Sequence, residues 1–196
     1  TFDDEILKLI GRRHNSLQIV EAVNIARNAG FENISVDLIY GLPTQTLDKL
    51  NSDLDKFLEL GIQHISTYGL KIESESLWGK NPPNVPDDDI QADMYELINQ
   101  KLEQNGFYRY EVSNFAQKGF TSRHNLNYWD NNEYYGFGVA AHGYLDGARY
   151  SNFTTLEEYL EKPSTHEVGH ILTEEEKLEE EIFLGFRKTE GIDCKR

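Results

Sequence analysis

Asp37 stands inside the apolar run Ile34-Ser35-Val36-Asp37-Leu38-Ile39-Tyr40. A carboxylate in such a run must be paired, hydrogen-bonded or turned into a site, because an unpartnered buried charge is costly. Two readings are open: a bond to Arg12 or to a backbone N–H, or a place near the C-terminal end of a barrel strand, where ligands bind. Gly11-Arg12-Arg13-His14 is a basic island in an acidic chain. Its charge suits the end of a helix, and Arg12 beside Asp37 would instead clamp an anionic ligand such as a carboxylate. Gly41-Leu42-Pro43-Thr44-Gln45-Thr46 lacks the spacing of either nucleotide-binding fingerprint, so it reads as a tight strand-to-helix turn better than as a phosphate cradle.

The most unusual run is Arg123-His124-Asn125-Leu126-Asn127-Tyr128-Trp129, followed by Tyr134-Tyr135-Gly136-Phe137-Gly138 and Ala141-His142-Gly143. A histidine, an asparagine and aromatic rings have the chemistry to ligate and sandwich a planar cofactor; a haem needs an axial ligand and a flat apolar cleft. Taken alone, such a histidine is more simply a hydrogen-bonded member of a polar core. No nucleophile triad and no paired carboxylates stand out, so no catalytic residue is assigned. Cys194 is the single cysteine, which excludes an intrachain disulfide and a cysteine-held zinc or iron–sulfur site, and no metal ligand set is assigned.

These residues need elements to position them. Asp3 or Asp4 can cap a short helix carrying Ile6, Leu7 and Ile10, and Ser16 a second carrying Ile19, Val23 and Ala26 and stopped by Gly30. The run from Ile34 to Tyr40 predicts a parallel strand covered on both faces. Thr46 caps a helix with Leu47, Leu50, Leu54, Phe57 and Leu58, ended by Gly61, and a second strand follows at 64–70. Ile34 and Ile65 stand about thirty residues apart, the length of one strand–helix–strand crossover. Two strands alone leave edges and a bare face, so they need neighbours from later segments or from outside the sequence.

Residues 73–86 read as an irregular loop with three prolines, and Asp87-Asp88-Asp89 opens a long helix with the stripe Ile90, Met94, Leu97, Ile98 and Leu102. After Gly106, Tyr108, Tyr110 and Val112 alternate with Arg109 and Glu111, which predicts a half-exposed strand, and short strands and turns to Tyr150. Thr173 and Glu176 form a capping box for a helix with the stripe Leu178, Ile182 and Phe186 and an acidic outer face.

Composition narrows the partners. The net charge of −15 opposes the cation–phosphate contacts that nucleic acid and anionic membranes require, while 38% hydrophobic and 12% aromatic residues suffice for a core. The longest apolar stretches fall far short of a membrane span, and the acidic opening Thr1-Phe2-Asp3-Asp4-Glu5 is unlike a signal peptide, so the expected location is cytoplasmic. A start at Thr1 and an end on Cys194-Lys195-Arg196, soon after a helical pattern, read as a fragment.

The ordered set Phe2-Asp3-Asp4, Gly11-Arg12-Arg13-His14, Asp37 to Thr46, Tyr110-Glu111-Val112-Ser113-Asn114-Phe115-Ala116 and His124 to Trp129 resembles the radical S-adenosylmethionine (SAM) proteins related to oxygen-independent coproporphyrinogen III oxidase. The resemblance covers essentially the whole chain. His124, Asn125, Tyr128 and Trp129 match the His-Asn-x-x-Tyr-Trp segment associated with haem in the HemW-type haem chaperone branch. The implied fold is α/β: the later part of a partial TIM-like (βα)6 barrel over residues 1–105, a mixed region over 106–172 and the start of a helical domain over 173–196. The implied function is haem binding and transfer to acceptor proteins, and the alternative is the oxidative decarboxylase of porphyrin biosynthesis. A sugar-phosphate barrel enzyme would need phosphate-site glycines that are not evident.

By the same resemblance Arg12 and Asp37 contact SAM, whose carboxylate and ribose hydroxyls suit a guanidinium and a carboxylate, and the backbone around Leu70 and Lys71 lines that site. The family's [4Fe–4S] cluster is held by three cysteines of a Cys-x3-Cys-x2-Cys loop, none of which is in this sequence, so the chain is expected to be an N-terminally truncated piece without radical chemistry of its own.

Overall fold

The computed structural model describes residues 1–162 and 167–192, with only the backbone described at 167 and 168; Cys194 lies outside the described residues. Contacts divide the chain into two compact units, Thr1–Thr121 and Ser122–Arg196.

In the first unit, α1 (Asp4–Leu9) is capped by Asp3, and α2 (Ser16–Asn28) is capped by Asn15 rather than Ser16. Asn15 and Gln18 exchange side-chain and backbone hydrogen bonds in a full capping box, which Ser16, one residue later, has no equivalent partner to form. There follow β1 (Ser35–Tyr40), α3 (Leu47–Glu59) capped by Thr46, and β2 (His64–Gly69). The loop read as irregular contains one turn, α4 (Leu77–Lys80), capped by Ser76. Next comes α5 (Asp88–Gln104), capped by Asp87, and the unit closes with β3 (Tyr108–Arg109) and β4 (Asn114–Ala116).

The sheet order is β1-β2-β4-β3, with β1 and β2 parallel and the other pairs antiparallel. The neighbour that β2 requires is therefore supplied by residues beyond 105. Contacts accordingly group these residues with the first unit, Thr1–Thr121.

Leu38, Ile65 and Phe115, on adjacent strands, pack with Leu50, Leu54, Met94, Ile98 and Leu102 from α3 and α5 in one core. The opposite face is covered at β2 and β4, where His64, Ser66 and Asn114 are buried, but not at β1 as its apolar run predicts. Ser35 and Asp37 are exposed while Leu38 is fully buried, so β1 is one-faced. Glu111 also departs from the sequence expectation. It is fully buried, with Oε1 accepting from Ser113 N–H at 2.9 Å and from the Asn114 amide, because 110–113 fold into a tight connection between β3 and β4.

The second unit holds α6 (Arg123–Trp129), β5 (His142–Leu145), β6 (Ala148–Ser151), α7 (Leu156–Glu161), β7 (Glu167–Ile171) and α8 (Glu174–Gly185). Its antiparallel sheet runs β5-β6-β7. The capping box of Thr173 and Glu176 forms, and His170 also bonds Glu176, whose pKa falls to about 2 mainly through the Thr173 backbone N–H. Leu178, Ile182 and Phe186 form the stripe but are exposed. Among the described residues no helix is long and apolar enough to cross a membrane.

Phe115→Ala is expected to lower unfolding free energy by about 3–5 kcal/mol, as for other buried Phe truncations, measured by urea denaturation.

Candidate functional site

The parallel register pairs Ser35 with His64, Asp37 with Ser66 and Ile39 with Tyr68, so these side chains share the face turned away from the helical core. Asp37 and Arg12 line one cleft of about 280 Å³ together with His14 and Ile39. Arg12 and Ile39 also line a neighbouring cleft of about 470 Å³ that takes in Leu70, Lys71 and Trp78. The structure thus puts Arg12 and Asp37, from the middle of β1, on one cleft, and Arg12 with Leu70 and Lys71, which follow β2, on a second that shares Arg12 and Ile39. Arg12 follows α1, where the Arg12 N–H bonds the Leu7 carbonyl at 2.9 Å and Gly11 takes φ +73°. That left-handed residue turns the chain toward the strand ends. Asp37 is exposed, so it carries no burial penalty and is available to hydroxyl or amine donors.

Beside Asp37 the same face holds a polar network that the sequence reading passed over. His64 is buried, with Nδ1 2.7 Å from Ser35 Oγ and Nε2 2.7 Å from Tyr110 Oη. It ties β1, β2 and the segment after β3 together through one ring. The available signal was a second polar residue in an apolar strand, the same anomaly that singled out Asp37.

In the second unit, the segment read as strand or turn from 123 to 129 is helical. Ser122 accepts the Asn125 N–H at 3.2 Å, and this cap starts α6 despite residues of modest helix propensity. Helical spacing then separates the four motif residues into two pairs. His124 and Tyr128 lie one turn apart, with ring centroids 4.9 Å apart and an interplanar angle of 88°, and Tyr128 meets Tyr134 edge-on at 4.5 Å. Asn125 and Trp129 occupy the next stripe. Trp129 lies under the Arg187 guanidinium, 4.3 Å from the ring centroid, and lines a cavity of about 390 Å³ with Gly185 and Lys188. His124 is exposed, so an imidazole is presented at the surface of an aromatic row. The four residues do not converge on one point.

The radical SAM superfamily model matches residues 1–57, the segment that carries both Arg12 and Asp37. The chain is 44% identical to the haem chaperone HemW of Lactococcus lactis over 98% of its own length and 52% of the relative's. To HemW of Bacillus subtilis it is 42% identical, over 100% and 54%. Residues 1–57 belong to the radical SAM superfamily. The sequence similarity of the chain runs to HemW proteins and, at 33% identity, to the mitochondrial radical S-adenosyl methionine domain-containing protein 1 of Danio rerio. Among solved structures, coproporphyrinogen III oxidase (HemN) from Escherichia coli, a radical SAM enzyme, superposes with TM-score 0.81 over 95% of this chain and 48% of that one. At 20% identity this likeness shows the α/β radical SAM fold alone. The chain spans about half the length of the curated relatives it matches.

The superfamily implies SAM and an iron–sulfur cluster. The cleft of Arg12 and Asp37 offers groups complementary to a SAM carboxylate and to ribose hydroxyls. For the cluster the donor set does not fit: among the described residues no group of three or more His, Cys, Asp or Glu is placed to hold a metal, and Cys194 lies outside them.

Burial holds the His64 imidazole below its ordinary value of 6.5, against the opposing pull of Asp37. The unfolded chain therefore takes up the proton first. The stabilisation from the neutral ring is complete above about pH 6.5 and is lost as pH falls through the lower folded value. Thermal melts between pH 7.5 and 5 should show this loss, and His64→Gln, which keeps hydrogen bonding without titrating, should remove it. The Glu176 contribution is lost only between its ordinary value of 4.5 and about 2, outside this window.

Proposed function

We propose that this chain is part of a cytoplasmic haem chaperone, binding haem as cargo on the second unit for delivery to acceptor proteins. The observation that carries the reading is the intact His-Asn-x-x-Tyr-Trp segment. It folds as a capped helix with the His124 imidazole exposed on Tyr128, in a chain 44% identical to a HemW protein. His124 is the axial-ligand candidate, and the edge-on Tyr128–Tyr134 row supplies aromatic surface against which a macrocycle can pack. Asn125 and Trp129 lie on the other stripe, with Trp129 held beneath Arg187.

The first unit supplies part of a SAM site. Arg12 would take the SAM carboxylate and Asp37 the ribose hydroxyls, with the backbone at Leu70 and Lys71 completing the wall. The cluster would be ligated from outside the described residues. The decarboxylase alternative shares the fold, but the sequence similarity that separates the two branches lies with HemW.

Haemin titrated into the full chain should give a Soret shift that His124→Ala abolishes while the circular dichroism is unchanged; a wild-type-like shift in the folded variant would sink the assignment. In the full-length, cluster-loaded protein, Arg12→Gln and Asp37→Asn should each weaken SAM binding about tenfold, the scale of one charged hydrogen bond. Equilibrium dialysis would show it, and unchanged binding in both variants would remove these residues from the site.

A further inference from the structure

A cavity of about 760 Å³ lies in the first unit where α3 and α5 begin, with Gln45, Leu47, Asp48, Val85, Asp87 and Ile90 in its wall. Gln45 is 4% exposed. Its Oε1 accepts the Leu42 N–H at 3.2 Å inside the turn. Only the oxygen can play that part, so the amide orientation is fixed. The Nε2 group is then buried without a hydrogen-bond partner. A buried donor left unpaired is destabilising, and an acceptor arriving from outside would resolve it.

The start of α3 adds donors beside it. Thr46 Oγ1 accepts the Lys49 N–H at 3.3 Å, and its carbonyl accepts the Leu50 N–H at 2.9 Å. The N–H groups of Leu47 and Asp48 precede the first intrahelical bond, at the positive end of a 13-residue helix. Leu47, Val85, Pro86 and Ile90 make one apolar part of the wall, and Thr44, Thr46 and Asn84 also line it. Two carboxylates, Asp48 and Asp87, also line the cavity, and Asp87 is engaged in capping α5 through the Ile90 N–H at 2.9 Å. They repel any anion, and a dianionic phosphate about twice as strongly as a monoanion, so the attraction for a single charge has to come from the buried amide donor and the start of α3.

We propose that this cavity binds an amphiphilic monocarboxylate. The carboxylate accepts from Gln45 Nε2 and the first turn of α3, and the apolar body lies on Leu47, Val85, Pro86 and Ile90. The site is distinct from the Arg12–Asp37 cleft and from α6, and it stands independently of the haem reading.

The test is titration of the ¹⁵N-labelled full chain with hexanoate, hexanamide and inorganic phosphate. Hexanoate should shift the Gln45 side-chain amide and the Leu47 and Asp48 backbone signals at lower concentration than the other two probes. Gln45→Glu keeps an oxygen for the Leu42 N–H but replaces the donor with a negative charge. It should leave the Leu42 signal in place and weaken hexanoate binding about tenfold or more. Equal response to hexanamide or phosphate, or wild-type hexanoate binding by Gln45→Glu, would overturn the proposal.

Discussion

The parallel register between β1 and β2 is the constraint on which the first unit depends. It aligns Val36 and Leu38 with Ile65 and Thr67 on one face and Ser35 and Asp37 with His64 and Ser66 on the other. Because side chains alternate strictly, a slip of one residue would put Leu38 on the open face and Asp37 into the core. Burial of Leu38, Ile65 and Phe115 against α3 and α5 fixes the register from below. The ring of His64, bonded to Ser35 and to Tyr110, fixes it from above. The position of Asp37 over its cleft is thus a by-product of hydrophobic packing on the reverse side of the sheet.

The two units solve the placement of reactive side chains differently. In the first, the middle of β1 carries Asp37 and the segment after β2 carries Leu70 and Lys71, and a left-handed Gly11 precedes Arg12, which lines both clefts. In the second, one short helix does the positioning. Its two stripes divide labour, with His124 and Tyr128 presented and Trp129 packed under Arg187. Stiffness there comes from aromatic contacts rather than from a deep apolar core, in keeping with the exposed stripe of Leu178, Ile182 and Phe186 on α8.

What was legible in the sequence had strong local signals. The helix from Leu47 combines a capping threonine, regular apolar spacing and a terminal glycine, and the capping box at Thr173 is equally explicit. The resemblance was carried by short ordered motifs, two of which, Gly11 to His14 after α1 and Gly41 to Thr46 between β1 and α3, lie in connections where backbone geometry restricts the residue. Legibility failed where a tertiary partner decides. The helix at 123–129 depends on the Ser122 cap and on the contact of Trp129 with Arg187 more than on propensity. Glu111 has a polar residue's pattern but becomes buried because Ser113 and Asn114 donate to it. Asp37 reads as buried from its neighbours, yet exposure on that face is set by what covers the sheet. Gln45 was visible as a turn residue, while its unused amide donor followed only from the direction of the Leu42 bond.

The placement of the aromatic residues has an optical consequence. The chain holds two tryptophans, Trp78 in the first unit and Trp129 in the second. The indole of Trp129 is covered by a guanidinium and its ring nitrogen is shielded from solvent, whereas Trp78 lines an open cleft. The two emitters therefore sit in different dielectric surroundings, and each reports on its own unit. With either replaced by phenylalanine, the intrinsic fluorescence of the other becomes a local thermometer, able to tell whether the barrel segment and the helix-bearing segment melt as one cooperative body or in succession.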